Sequence, residues 1–181
     1  MTSLRRDPVP PPTSLKEIGE TIPAPFQDPL IPCDAGAKYA AAAILLSEEG
    51  DYLLQQRDGT PGIWHPNMLG LFGGAIEEGE EAGTALRREL MEELKFSPRQ
   101  LTYFSFGFFG HSKIALGSSC RIIYEARFTQ EEWEQMVLSE GAGMKIISSS
   151  DILSWKYSIA PEDLHTLYIH MMCHDIVASP D

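Results

Sequence analysis

Three glutamates, Glu89, Glu92 and Glu93, stand at positions i, i+3 and i+4. On a helix turning about 100° per residue they project from one face within a single turn. Like charges at that spacing repel by roughly 0.2–0.5 kcal/mol per pair in an isolated helix, so the arrangement makes best sense around a counter-charge. A hard divalent cation meets the need: carboxylate oxygens are the preferred ligands of Mg²⁺ and Mn²⁺, and Mg²⁺ shares its sphere with waters and substrate phosphates. Upstream on the same face, Ala82 and Ala85 leave room beside the carboxylates, and Leu86, Leu90 and Leu94 form an apolar edge that docks the helix on a core. Arg88 points elsewhere and is placed to pair with Glu80 and hold the preceding loop. Three bare glutamates would read as a solvated acidic face. The company of Gly73, Gly74, Glu80 and Arg88 turns the reading towards a site.

Such a helix needs a sheet to lie on. From Tyr39 the run AAAAILL reads as a buried strand, Glu48 to Asp51 as a hairpin turn, and Tyr52 to Arg57 as the returning strand. Asp58 to Met68, with Gly59, Pro61, Gly62 and Pro66, reads as a loop, and a short strand from Leu69 to Phe72 feeds Gly73 and Gly74. Strands are expected near Leu101–Phe109, Arg121–Phe128 and Met144–Ile147, with a helix near Gln130–Val137 and a loop around Glu140. A last helix from Pro161 to about Val177 opens with proline in its first turn, which suits a helix start. Mixed strands flanked by helices imply an α/β fold of three layers, an α/β/α sandwich with a mixed β-sheet. Phe104, Phe106 and Phe108 alternate as one strand face and are expected in the core.

Residues 1–36 hold eight of the 13 prolines, so they cannot run as helix or central strand and form a proline-rich N-terminal arm or tail. Residues 37–181 form the folded domain. The 43% hydrophobic content supports a packed core, and a net charge of −12 argues against binding a nucleic-acid polymer or an anionic membrane surface. An acidic protein still binds a polyphosphate when a metal carries the positive charge. Cys33, Cys120 and Cys173 are odd in number and lack zinc-site spacing. With no apolar run of about 18 residues and no apolar signal segment, the expectation is a cytoplasmic protein with reduced thiols.

From Gly74 to Phe96 the residues follow G-x5-E-x7-R-E-U-x-E-E-x-G-U at every specified position but one, where Lys95 replaces the second glycine. This pattern resembles the signature of the Nudix hydrolases, and the order of elements fits that family over roughly residues 38–155. The resemblance implies the same α/β/α sandwich. In the family that glycine ends the helix in a left-handed conformation. Lys95 should therefore let the helix run on to Ser97, or carry a penalty of about 1 kcal/mol.

The resemblance also implies a metal-dependent pyrophosphohydrolase, in which water attacks a phosphorus of a nucleoside diphosphate linked to another moiety. Glu92 and Glu93 match metal ligands; Glu89 matches the position that binds metal or positions the water, and the Gly73 carbonyl a further ligand in some members. The segment Glu140-Gly141-Ala142-Gly143 looks like the loop from which several members recruit a carboxylate, making Glu140 a candidate base and ligand beside the reading of an exposed loop acid. Glu131, Glu132 and Glu134 are weaker rivals. Arg57 looks like an arginine sent towards substrate phosphates, with a structural salt bridge as the alternative. Trp64 is placed to stack on a base or simply to pack. His65 and His111 read as polar loop residues. Marks of the ADP-ribose, diadenosine polyphosphate, coenzyme A and NADH subfamilies are missing, with Gly110 to Ile114 standing where the first two would show theirs. A nucleoside triphosphate, oxidised or noncognate, is favoured, with a nucleotide sugar as the alternative. Two other classes stay open, a non-catalytic nucleotide-binding regulatory module and an isopentenyl-diphosphate-isomerase-like enzyme. Homodimerisation through the N-terminal arm is a further expectation.

Overall fold

The alanine-rich run forms strand β1 (Lys38–Leu46), and the sheet is built around it. The computed structural model describes residues 38–110 and 118–178. After β1 come β2 (Tyr52–Gln56), β3 (Leu69–Gly70), β4 (Phe72–Ala75), α1 (Ala82–Leu94), β5 (Thr102–Gly110), β6 (Ser118–Arg127), α2 (Gln130–Gln135), β7 (Gly143–Ile147), α3 (Ser149–Leu153) and α4 (Pro161–Ala178). The expected N-terminal arm, Cys33 and His111 lie outside the described residues. None of the described helices is long and apolar enough to cross a membrane.

The seven strands make one mixed sheet. Along one edge β1 runs parallel to β6 over its whole length, and β5 pairs antiparallel with β6 beyond it. The other edge of β1 is shared. Ala40–Ala43 pair antiparallel with β4, while Leu45 and Leu46 pair antiparallel with β2. Strands β3 and β7 both pair with β2. The sheet thus forks beside the middle of β1, with β4 on one arm and β2 on the other.

Side chains alternate between the faces. Ala42, Ile44, Leu46, Tyr52, Leu54 and Ile123 join Leu167 and Met171 of α4 in one core cluster. The other face receives α1, whose Gly83 lies against the Tyr124 ring and whose Leu86, Leu90 and Leu94 are fully buried. The apolar edge read from the sequence is therefore the docking edge, and the arrangement is the expected α/β/α sandwich.

Strand β4 differs from expectation. Gly73 and Gly74 do not follow a strand; they lie within one, in register with Ala42 and Ala41. A Cβ on Gly73, whose φ is +132°, would collide with the Ala41 carbonyl and the Ala42 Cα. Small alanines on β1 and side-chain-free glycines on β4 let the two backbones close up. Phe106 also departs from expectation. It is 52% exposed, because β5 is an edge strand whose pairing slips between Tyr103 and Ser105; Phe104 packs against the core cluster, and the Phe108 side chain lies outside those described. The short helix α3 was not expected; the Ser148 side chain caps it by accepting from Asp151 N–H at 3.2 Å.

A buried ion pair ties α4 to the sheet below the fork. Asp163, 3% exposed, binds the Arg121 guanidinium and accepts from the Leu71 N–H at 3.1 Å, at the junction of β3 and β4. Gly70 makes room for that carboxylate, since a Cβ there would lie 2.8 Å from Oδ2.

Helix α1 stops at Leu94, and Lys95 takes the left-handed conformation (φ 54°, ψ 30°). Its N–H reaches the Met91 carbonyl at 3.2 Å and the Phe96 N–H reaches Leu90 at 3.3 Å. Of the two outcomes expected for a lysine here, the chain takes the strained one. Lys95→Gly should therefore stabilise the protein by about 1 kcal/mol, raising Tm by roughly 2–4 °C in a thermal melt, with no change of fold.

Candidate functional site

Glu93 sits where the sheet forks. Its carboxylate is 6% exposed and spans the two arms, accepting from the Gly73 N–H of β4 at 3.0 Å through Oε2 and from Gln55 Nε2 of β2 at 3.2 Å through Oε1. Burial pushes its carboxyl up to about 7, with the neighbouring Glu140 and Glu89 carboxylates adding to the rise and the two hydrogen bonds opposing it.

Glu89 reaches β4 from the previous turn. The space where a Gly74 Cβ would stand holds the Glu89 carboxylate, so both glycines of β4 serve this site, one by its conformation and one by its empty side. Glu92 lies further out, 62% exposed, with its Oε2 3.8 Å from Arg88. The three carboxylates therefore occupy one helix face at three depths: buried, half-buried and exposed.

Arg88 binds the loop in front of the helix, as the spacing suggested. It holds Glu80 at 3.0 Å and the Ala75 carbonyl at 3.0 Å. It also reaches Glu89 at 2.8 Å, which the sequence reading did not anticipate. The hydrogen bonds to Glu80 and Glu89 raise the guanidinium pKa, and the bond from Arg88 lowers that of Glu80. Arg88 thus fixes Glu89 from one side while β4 bounds it from the other.

The Glu140 loop is carried to the same place. Ser139 N–H donates to the Glu93 carbonyl at 2.7 Å, Val137 N–H to Leu94 at 2.9 Å, and Ala142 N–H to Gln56 at 2.8 Å. Gln55 Nε2, already on Glu93, also donates to the Glu140 carbonyl at 3.2 Å. The exposed Glu140 side chain is left beside Glu93. The three rivals stand on α2, away from this loop. Glu132 is occupied by the helix cap at Thr129 and by Arg99, and Glu134 by Gln130.

Arg57, just after β2, donates from Nε to the Trp64 carbonyl at 2.6 Å and forms no ion pair among the described residues. Trp64 is half-buried, edge-on to His65 with centroids 4.9 Å apart. His65 Nε2 lies 2.8 Å from Glu162 Oε2, off the angle of a hydrogen bond, so it faces α4.

Gln55 was missed by the sequence reading. Its signal was a polar residue on the same strand face as the buried Leu53, a position that needs a partner. Asp163 was also missed, because an acid in the first turn of a helix is ordinary and only its burial sets it apart.

The donor set fits a hard cation. An acid at the fork carries a raised pKa, two further carboxylates flank it, and the missing side chain of Gly74 lets the Glu89 carboxylate come up against β4.

A family model described as NUDIX domain matches residues 36–167. Among solved structures, the MutT protein from Methanosarcina mazei Go1 aligns with a TM-score of 0.65 at 16% identity, covering 79% of this chain and 98% of that one. The ORF135 protein of E. coli aligns at 0.62 and 20% identity, covering 80% and 95%. The NUDIX domain of Shewanella oneidensis NrtR, solved with ADP ribose, aligns at 0.59 and 20% identity, covering 86% and 95%. At these identities the likeness is one of fold.

The Glu93 carboxyl rises from an ordinary value of 4.5 to about 7 on folding. Protonated Glu93 therefore supports the fold below pH about 4.5, and that support is lost as pH climbs through about 7. In metal-free protein, Glu93→Gln should escape this loss, ending up to ~3 kcal/mol more stable relative to wild type at pH 8 than at pH 4.5 in urea titrations.

Proposed function

The chain belongs to the Nudix family of hydrolases, and from that premise we propose that it is a Mg²⁺- or Mn²⁺-dependent pyrophosphohydrolase acting on a nucleoside diphosphate linked to another moiety. The observation that carries this reading is the Glu93 carboxylate, buried at the fork with Glu89 and Glu140 beside it and no cation among its direct partners in the described residues. Glu89, Glu92 and Glu93 hold the metal in this reading, with the Gly73 carbonyl and Glu140 as further ligands. A metal held there would neutralise phosphate charge and make the attacking water more acidic.

The protein's own groups do the rest. Glu140 sits on an exposed loop docked to the site, where its carboxylate can take the proton of the attacking water. Arg57 keeps its two terminal nitrogens for substrate phosphate oxygens, its Nε being anchored on the 58–68 loop. Trp64, in that loop, offers a face for a base. Glu93 stays oriented by two donors from two strands, so it approaches the ion in one pose.

A nucleoside triphosphate, oxidised or noncognate, remains the favoured substrate. A nucleotide sugar is the second reading, favoured by the resemblance to a NUDIX domain solved with ADP ribose.

The test is a hydrolysis screen with Mg²⁺ and Mn²⁺ over triphosphates, oxidised nucleotides, nucleotide sugars and dinucleotides, with product identification. One class should turn over, Glu93→Gln should abolish turnover, and Glu140→Gln should slow it on the order of 10²-fold. Metal-independent turnover, or full activity in Glu93→Gln, would remove the metal assignment. Isomerised product without phosphate release, or binding without turnover, would point to the isomerase or the regulatory module.

A further inference from the structure

On the sheet face opposite α1, three side chains converge on one point. Glu125 projects from β6, and His170 and His174 stand one turn apart on α4. The Glu125 Oε2, His170 Nε2 and His174 Nε2 atoms form a triangle with edges of 3.2, 3.3 and 3.1 Å. We propose that Glu125, His170 and His174 form a second metal site, built for a divalent transition metal of the zinc class and separate from the acid helix.

With Glu125 ionised, the triangle cannot be satisfied by protons on the two imidazoles. If both imidazole nitrogens carry hydrogen, each donates to the carboxylate, and the two N–H groups face each other at 3.1 Å. If only one carries hydrogen, the other turns a lone pair on the carboxylate's. If neither does, three lone-pair atoms face one another. Every arrangement leaves at least one contact of like polarity, and a cation at the centre turns all three into ligand bonds. The dimensions agree, because a tetrahedral ion with Zn–N and Zn–O bonds of about 2.0–2.1 Å sets its ligand atoms about 3.4 Å apart.

The surroundings are those of a held ligand set. His170 is 1% exposed, and its other ring nitrogen, Nδ1, lies 2.9 Å from the Tyr52 hydroxyl. With a metal on Nε2, the Nδ1–H donates to that oxygen, the partner that orients a ligating imidazole. Phe104 packs edge-on against the same ring at 5.0 Å between centroids. His174 is half-exposed and leaves one side open to water. Two imidazoles and one carboxylate suit Zn²⁺ and its neighbours and disfavour Mg²⁺, which prefers oxygen alone. The two faces of the sheet then hold different metals without competing. A metal here would pin the C-terminal half of α4 to β6.

The test uses the full chain, stripped of metal and titrated with Co²⁺ in excess Mg²⁺, following visible absorption and displacement by Zn²⁺. A Glu92→Gln/Glu93→Gln double variant removes the acid-helix contribution. Wild type and the double variant should each bind one Co²⁺ with the absorption of a four-coordinate nitrogen–oxygen site, and Zn²⁺ should displace it. His174→Ala, at a half-exposed position, and Glu125→Gln should each weaken binding by at least about tenfold. No Co²⁺ absorption in wild type, unchanged affinity in both ligand variants, or a signal lost in the double variant would overturn the proposal.

Discussion

A carboxylate removed from water has to be held by something, and the holding of Glu93 organises this domain. The sheet divides beside β1, and neither β2 nor β4 completes the ladder of the other across the gap. Glu93 fills it with two acceptor atoms, one for a backbone N–H of β4 and one for a side-chain amide of β2. The helix must lie where that carboxylate reaches both, which sets the positions of Glu89 and Glu92 on the same face. Two hydrogen bonds recover only part of the lost hydration, and with the Glu140 and Glu89 carboxylates nearby the Glu93 carboxyl is pushed up to about 7. The fold thus carries a poorly compensated carboxylate where the proposed function calls for a metal.

How much of this could be read from the sequence follows from the kind of force involved. The acid helix, its apolar edge and the Glu80–Arg88 pair were legible because helical periodicity fixes neighbours within one element. Strands β1, β2, β5, β6 and β7 were legible from apolar runs and turn residues, with ends shifted by a few positions. The glycine pair was misplaced by one element. A glycine reads as a turn locally, and only the approach of β1 shows that Gly73 and Gly74 are strand residues with nowhere to put a Cβ. Gln55, Asp163 and the Glu125–histidine triangle depend on contacts between residues 38, 42 and 45–49 positions apart, which no local pattern carries. Lys95 left two outcomes open. A capping bond to Met91 and the burial of Phe96 beyond it settled the choice.

The two faces of the sheet divide the polar chemistry. The α1 face presents oxygen donors around a carboxylate, and the α4 face presents imidazole nitrogens around another. Between them lies a layer of small and branched apolar side chains, Ala41 to Leu46, each at most 2% exposed. Such a layer has no polar path through it, so each cluster is supplied from its own side. The Asp163–Arg121 pair belongs to the α4 face but reaches the backbone just ahead of β4. It steadies the strand that the opposite face uses.

The Glu140 loop hangs from its main chain. Gln55 grips the carbonyl of residue 140, and the flanking amides of Ser139 and Ala142 grip α1 and β2, while the Glu140 side chain holds up nothing. Position and reactivity are therefore carried by different atoms. Under the role proposed for Glu140, exchanging its side chain alters what the site can do without altering where the loop lies, whereas exchanging Gln55 disturbs two anchor points at once. A protein arranged this way can change its chemistry at a single codon, with the scaffold indifferent to the change.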